Sequence, residues 1–146
     1  MFIFPGHFGL GLIICGITGF TGMSALLVMI GSILPDLDTI PYLFGVGYRK
    51  THRTFTHSMF MPLITAFISA PLTLGIIVHL LFDLIPYPGV KLFFPFSSKE
   101  VYLYKGKLEK YHDPKLLIKD WLHNKRFIAF ESSLLILGTF LVLLSY

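Results

Sequence analysis

Seven acidic or histidine residues lie among the first ninety positions, namely His7, Asp36, Asp38, His52, His57, His79 and Asp83, and each sits at the edge of a long apolar segment. No glutamate accompanies them there. Acid and imidazole side chains are costly beside hydrocarbon, so a chain that keeps these seven and little other charge is expected to use them together. That requirement constrains the fold, because the seven must be brought to one place.

Apolar residues make up 54% of the 146-residue chain and charged residues 14%, too apolar a balance for an ordinary soluble domain of this length. An integral membrane protein of a single domain is expected, with residues 1–96 as a metal-site core, 97–126 as a basic interfacial segment and 127–146 as a C-terminal transmembrane helix. No cleavable signal is expected, since the start lacks a basic region and a small-residue cleavage site. The lone Cys15 lies inside an apolar run and implies no disulfide framework. The net charge of +4 does not call for nucleic acid, because all twelve Lys and Arg fall in two loops, residues 35–56 and 86–126. Membrane proteins retain such loops on the cytoplasmic side, so both are expected to face the cytoplasm from a membrane crossed more than once.

Three apolar blocks flank the loops: residues 8–34, 59–85 and 127–144. About twenty residues cross a bilayer once as a helix, so the third block is one span, with Glu131 as its only charge. Read as one straight helix, the first block would hold His7 and Asp36 roughly 40 Å apart and send the basic loops to opposite sides. Read as a helical hairpin, each of the first two blocks returns to its starting side and gathers all seven residues at one surface. Gly19-Phe-Thr-Gly22 and Ser69-Ala-Pro71 stand at the block midpoints, where a reversal needs them. The fold class is therefore an all-α membrane protein: two short helical hairpins, a C-terminal transmembrane helix, a partly structured basic loop and an interfacial amphipathic helix. That helix would start at Asp113-Pro114, with Leu117, Ile118, Trp121 and Leu122 on its apolar face. Residues 100–108 read as a hairpin turning at Lys105-Gly106.

His79 and Asp83, four apart on a helix, share a face. They can ligate one metal, or the Asp can orient a ligating His; a buried pair that stabilises packing is the alternative. Asp36 and Asp38 follow Pro35, and in extended or turn backbone both would point the same way to hold metal or activate water; a solvated turn is the alternative. In His52-Arg-Thr-Phe-Thr-His57-Ser, Thr56 can cap a helix starting near His57, and Arg53 is a natural clamp for phosphate or carboxylate. Binding of anionic head groups is the alternative for this loop, although it leaves two histidines unexplained. Glu131 could snorkel, pair with Arg126 or reach the site as a supporting group. His112, Asp113, Asp120 and His123 read as solvated surface. Imidazole and carboxylate donors without thiolates suit zinc above other transition metals, and the number of candidates allows one or two ions.

In order, His7, Gly31-Ser-Ile-Leu-Pro-Asp-Leu-Asp38, His52-Arg-x-x-Thr-His57-Ser, His79-x-x-x-Asp83 and Gly89-Val-Lys-Leu-Phe-Phe-Pro95 resemble the YdjM-like, LexA-regulated family of inner-membrane metal-dependent hydrolases. The resemblance covers about residues 7–96, and Thr54 stands where the family pattern shows glycine. That family is similar in turn to the zinc phospholipase C and P1 nuclease group, helical enzymes that hydrolyse phosphoric esters. The resemblance implies metal ligation by His7, Asp36, His52, His57, His79 and Asp83, with Asp38 as a further or supporting ligand.

The expected function is then a membrane-bound hydrolase of a phosphoric ester such as a phospholipid. Metal-activated water would attack, Asp36 or Asp38 would serve as general base, and Arg53 would hold the anionic substrate. Membrane lipids are the expected partners. Two other classes compete. A metal carrier would need its ligands near the bilayer midplane. A non-enzymatic protein with a structural metal would close the coordination shell.

Overall fold

The computed structural model describes residues 4–45, 47, 52–85, 89–104, 119 and 122–145. Among these, five α-helices carry the architecture: α1 Phe4–Thr18, α2 Gly22–Ile33, α3 Phe60–Ala66, α4 Ala70–Asp83 and α5 Lys125–Leu144. A 3₁₀ stretch, Leu34–Phe44, continues α2, and a short 3₁₀ turn, Phe55–His57, precedes α3. Among the described residues, Val90 and Val101 form an isolated antiparallel bridge.

Both expected reversals are present. After α1 the chain turns through Gly19 (φ 67°) and Gly22 (φ 54°), backbone conformations that a Cβ would strain, and α2 packs back along α1. In the second block the reversal comes slightly before the expected tripeptide, at Phe67 and Ile68. Ser69 caps α4, its hydroxyl accepting from the Leu72 amide at 3.4 Å, and Pro71 fits the first turn, where a missing N–H costs nothing. Thr73 Oγ1 donates to Thr65 Oγ1 at 3.0 Å and ties the two arms together. The third block is a single helix, α5, whose Asn124 cap accepts from the Phe127 amide.

At ~1.5 Å per residue, α1, α2 and α4 extend only ~18–23 Å, against ~30 Å for α5 and for the hydrocarbon layer. By length and composition two helical stretches among the described residues are apolar enough to cross a membrane, Gly22–Tyr42 and Lys125–Leu144. The first takes in the 3₁₀ segment with Asp36 and Asp38, so its apolar part is α2. The distribution of polarity is that of a protein solvated by lipid. The interior holds His7, Ser32, His52, Arg53, His57, His79, Asp83 and Glu131, whereas Ile17, Met23, Phe67, Ile68, Ile136 and Leu143 are exposed. Water would reverse that arrangement.

Small residues let the helices approach. Gly9 lies against the backbone of Leu134 and Leu135, and Gly16 against Leu141 and Val142, so α1 and α5 run in the same direction. α2 and α4 cross at Gly31 and Gly75, where an added Cβ on either would fall 2.2 Å from a carbonyl oxygen of the other helix. Such contact is the usual basis of helix association in lipid. The starts of α1 and α5 and the ends of α2 and α4 therefore share one end of the bundle.

Of residues 100–104, Val101 bonds Val90, while the Leu103 and Tyr104 amides donate to the carbonyls of Leu84 and Ile85, left open where α4 ends; the second arm of the expected 100–108 hairpin lies outside the described residues. Two local expectations change. Thr56 does not cap a helix; α3 starts later, after Met59, and has no side-chain cap. Asp36 and Asp38 lie in 3₁₀ rather than extended backbone, with consequences described below. The turn at Lys105-Gly106 and residues 113–118, 120 and 121 of the amphipathic segment lie outside the described residues.

Candidate metal centre

α4 supplies His79 and Asp83 from one face, four residues apart, both buried. The 3₁₀ segment after α2 supplies Asp36 and Asp38, the turn before α3 supplies His57, and the first turn of α1 supplies His7. The result is a cluster of four groups, Asp36, His57, His79 and Asp83, each offering one donor atom within 4.8 Å of the others. His57 Nε2 lies 3.2 Å from His79 Nε2, 3.6 Å from Asp36 Oδ1 and 3.5 Å from Asp83 Oδ2. His79 Nε2 lies 3.7 Å from Asp36 Oδ1 and 3.9 Å from Asp83 Oδ2. Four donors around a metal at ~2.0–2.1 Å stand roughly 3.3 Å apart. The observed separations approach that figure, so the donor set and its spacing fit a divalent transition metal.

Groups behind the imidazoles fix which nitrogen faces the cluster. A carbonyl can only accept, so His79 Nδ1, 2.8 Å from the Ser32 carbonyl, carries the proton and Nε2 turns a lone pair inward. Asp38 does the same for His57, its Oδ2 standing 3.1 Å from Nδ1. Partners of this kind orient ligating histidines and raise their basicity. Asp38 is a hub rather than a second inward carboxylate: Oδ2 also accepts from the Thr56 hydroxyl at 2.6 Å and the Arg53 amide at 3.0 Å, and Oδ1 faces His52 Nδ1 at 2.7 Å. The 3₁₀ winding explains the division. Its three residues per turn place positions i and i+2 on different faces, so Asp36 meets His57 at Nε2 while Asp38 meets it at Nδ1.

Arg53 is buried and committed within the site. Nη2 pairs with Asp83 Oδ2 at 2.8 Å and Nη1 donates to the Gly89 carbonyl at 3.3 Å. Its backbone is left-handed (φ 59°), a conformation costing a non-glycine residue ~1–3 kcal/mol and persisting where its surroundings over-determine it. Thr54, at the position where the resemblance shows glycine, has φ −104° and ψ −119°, outside the regular α and β regions, so the left-handed residue falls one position earlier. His7 Nε2 lies 3.5 Å from Asp83 Oδ1 and 4.0 Å from Asp36 Oδ2, and its ring stacks on His79 at 3.8 Å. His52 belongs with Asp38 and His57 in a second group of potential donors, on the outer side of Asp38.

In the loop, burial works against the charge on His57, but the close carboxylates of Asp36, Asp38 and Asp83 outweigh it and push the imidazole up to about 10. Burial dominates at His52 and lowers its value despite the Asp38 contact. Of the carboxylates facing the four-residue cluster, Asp36 is 22% exposed while Asp83 is 2% exposed, so Asp36 marks the opening.

All seven sequence candidates, together with Arg53, thus meet at one end of the bundle, arranged around His57. Two contributors escaped sequence reasoning. The Ser32 carbonyl carries no side-chain signature. Thr56 was legible as a polar residue beside His57, but its hydroxyl serves Asp38 rather than a helix end. His123, in the second basic loop, is exposed, and its Nδ1 bonds to the Lys119 carbonyl at 2.7 Å.

The family model described as YdjM inner membrane protein matches residues 1–146 of this chain. No curated protein and no solved structure matches it.

Proposed function

Because the chain belongs to the YdjM family of inner membrane proteins, we propose that it is a metal-dependent hydrolase of a phosphoric ester, with a phospholipid as the substrate that suits its location. The carrying observation is the convergence of two imidazoles and two carboxylates, spaced for one ion, at the end of membrane helices and open at Asp36. In this reading His57, His79 and Asp83 would hold the ion, with Asp36 facing it from the opening, zinc being the best match to imidazole and carboxylate donors. A bound divalent metal supplies Lewis acidity toward phosphoryl oxygen and acidifies water. Asp38 and the Ser32 carbonyl hold His57 and His79 in the ligating tautomer. Asp36, the accessible carboxylate, is placed to take a proton from water; both oxygens of Asp38 are already engaged. Arg53 offsets the charge of Asp83, and this internal pairing replaces the substrate-clamp role that its place between two histidines suggests. The two basic loops favour a cytoplasmic location for this end of the bundle.

A structural metal is the second reading, favoured by a specific observation: four protein donors would complete a tetrahedron and leave no open position. A metal carrier has less support, because the ligands sit at helix ends rather than at midplane. Phospholipid vesicles incubated with the zinc-loaded protein separate these readings. A hydrolase releases a phosphorylated head group, and Asp36→Asn loses that activity while retaining much of its metal. No release from any lipid, together with a water-free coordination sphere by X-ray absorption, would leave the structural reading standing.

A further inference from the structure

The 3₁₀ segment after α2 turns its two aspartates inward and its apolar side chains outward. Asp36 and Asp38 face the histidines, and the Thr39 hydroxyl donates to the Asp36 carbonyl at 2.8 Å. Leu37 and Ile40 are each close to half exposed, and three residues per turn put them on one face. Phe4, also half exposed, adds a third apolar group. It stands one turn before His7 on α1, and His7 Nε2 lies 4.0 Å from Asp36 Oδ2. The accessible edge of Asp36 is therefore flanked by Leu37 in sequence and by the start of α1 in space. A turn bathed in water would show the opposite polarity.

The depth of this opening follows from α5. Lys125 and Arg126 are exposed at its start, and residues 127–144 extend ~27 Å, close to the thickness of the hydrocarbon layer. The two cations therefore reach the head-group layer. Glu131, roughly 7–8 Å further along the helix by its rise, packs against Gly6 at the start of α1. His7 and the carboxylates beside it thus lie beneath the charged head groups, at the level of the glycerol esters and the first methylenes.

We propose that the opening at Asp36 faces the leaflet rather than the aqueous phase, and that a diacyl phospholipid enters it sideways. Its phosphate meets the metal-ligand cluster while its acyl chains lie along Phe4, Leu37 and Ile40. The proposal rests on the hydrolase reading above and deepens it: these three side chains select a two-chain lipid over a soluble phosphoric ester. In the reaction a water oxygen bonds to phosphorus, the bond from phosphorus to the glycerol oxygen breaks, and that oxygen takes a proton. The diacylglycerol so formed stays in the leaflet, and the phosphorylated head group departs to water.

Two measurements on the full-length protein in phosphatidylethanolamine–phosphatidylglycerol vesicles test it. The first needs no activity. In a Cys15→Ala background, a nitroxide on Leu37→Cys should be more accessible to dissolved oxygen, which partitions into lipid, than to chromium oxalate, which stays in water. The reverse order overturns the proposal. The second follows hydrolysis by the zinc-loaded protein. The vesicle lipids should be cleaved in preference to their deacylated counterparts, glycerophosphoethanolamine and glycerophosphoglycerol. Leu37→Ser should cut that preference about fivefold, the effect of losing a half-buried leucine side chain. Equal cleavage of the deacylated esters, or an unchanged preference in Leu37→Ser, overturns the proposal. Phe4→Ser gives the same readout if Leu37→Ser does not fold. Cleavage of neither class removes the hydrolase reading instead, and the nitroxide still decides whether the opening faces lipid.

Discussion

Substituting Gly31 or Gly75 with alanine should weaken metal binding, although neither glycine touches the site. A Cβ on Gly31 would lie 2.2 Å from the Leu72 carbonyl oxygen, and one on Gly75 would lie 2.2 Å from that of Val28. Ordinary contact needs ~3.5 Å, so α2 and α4 must separate by roughly 1 Å. The neighbouring hydrogen bond joins the same two helices: Ser32 follows Gly31, His79 is one turn beyond Gly75, and Nδ1 meets the carbonyl at 2.8 Å. An added ångström takes that distance beyond the ~3.2 Å limit of a good N–H···O bond. Overpacking costs ~1–3 kcal/mol, and the lost hydrogen bond leaves a buried N–H costing a further ~1–3 kcal/mol. Without its rear partner, His79 should bind metal about tenfold to a hundredfold more weakly. Competition with a chromophoric zinc chelator measures the affinity, and thermal melting of the metal-free protein measures the packing cost. A Gly31→Ala protein that melts earlier yet binds zinc with wild-type affinity would refute the coupling between helix crossing and site.

His57 links metal binding to pH. Its value of about 10 in the metal-free fold exceeds the ordinary ~6.5, so its protonation stabilises that fold fully below ~6.5 and loses the contribution as pH rises through about 10. Metal requires the neutral ring, so calorimetry in buffers of different ionisation enthalpy should find about one proton released from His57 per ion bound at pH 7.5, with affinity falling as pH falls; zero release contradicts the assignment. Arg53→Gln strips Asp83 of its buried partner and should cost the metal-free protein ~3–5 kcal/mol. The loss should be smaller in the metal-loaded protein, where the ion replaces the missing charge; equal loss in both forms would argue that Asp83 does not face the metal. In a Cys15→Ala background, Gly47→Cys and Ser98→Cys should react with an impermeant thiol reagent from the same side of the membrane, and labelling from opposite sides would end the hairpin topology.

The bundle was largely legible because two independent signals required it. The scatter of His and Asp at block edges needed two reversals, and the basic loops needed the same side. Gly19 and Gly22 then take the positive φ that a reversal demands. The membership of the site was legible for similar reasons, but not its internal order. Whether Asp36 and Asp38 share a face depends on local winding, and Pro35 is as compatible with the start of a 3₁₀ turn as with extended chain. Arg53 between two histidines reads as an anion clamp, and its contacts with Asp83 and Gly89 come to light only in the fold. Contacts made through backbone, as at Ser32, leave no trace in residue type. Those spanning most of the chain, such as Glu131 beside Gly6, depend on the relative direction of two helices, which composition does not specify.

The most direct test of the metal centre is an anomalous-scattering map from crystals of protein purified without chelator, recorded on both sides of the zinc absorption edge. The account predicts a peak bounded by His57 Nε2, His79 Nε2, Asp36 and Asp83, lost in His79→Ala crystals. A wild-type map with no anomalous density there, and with Asp83 paired only to Arg53, would contradict it.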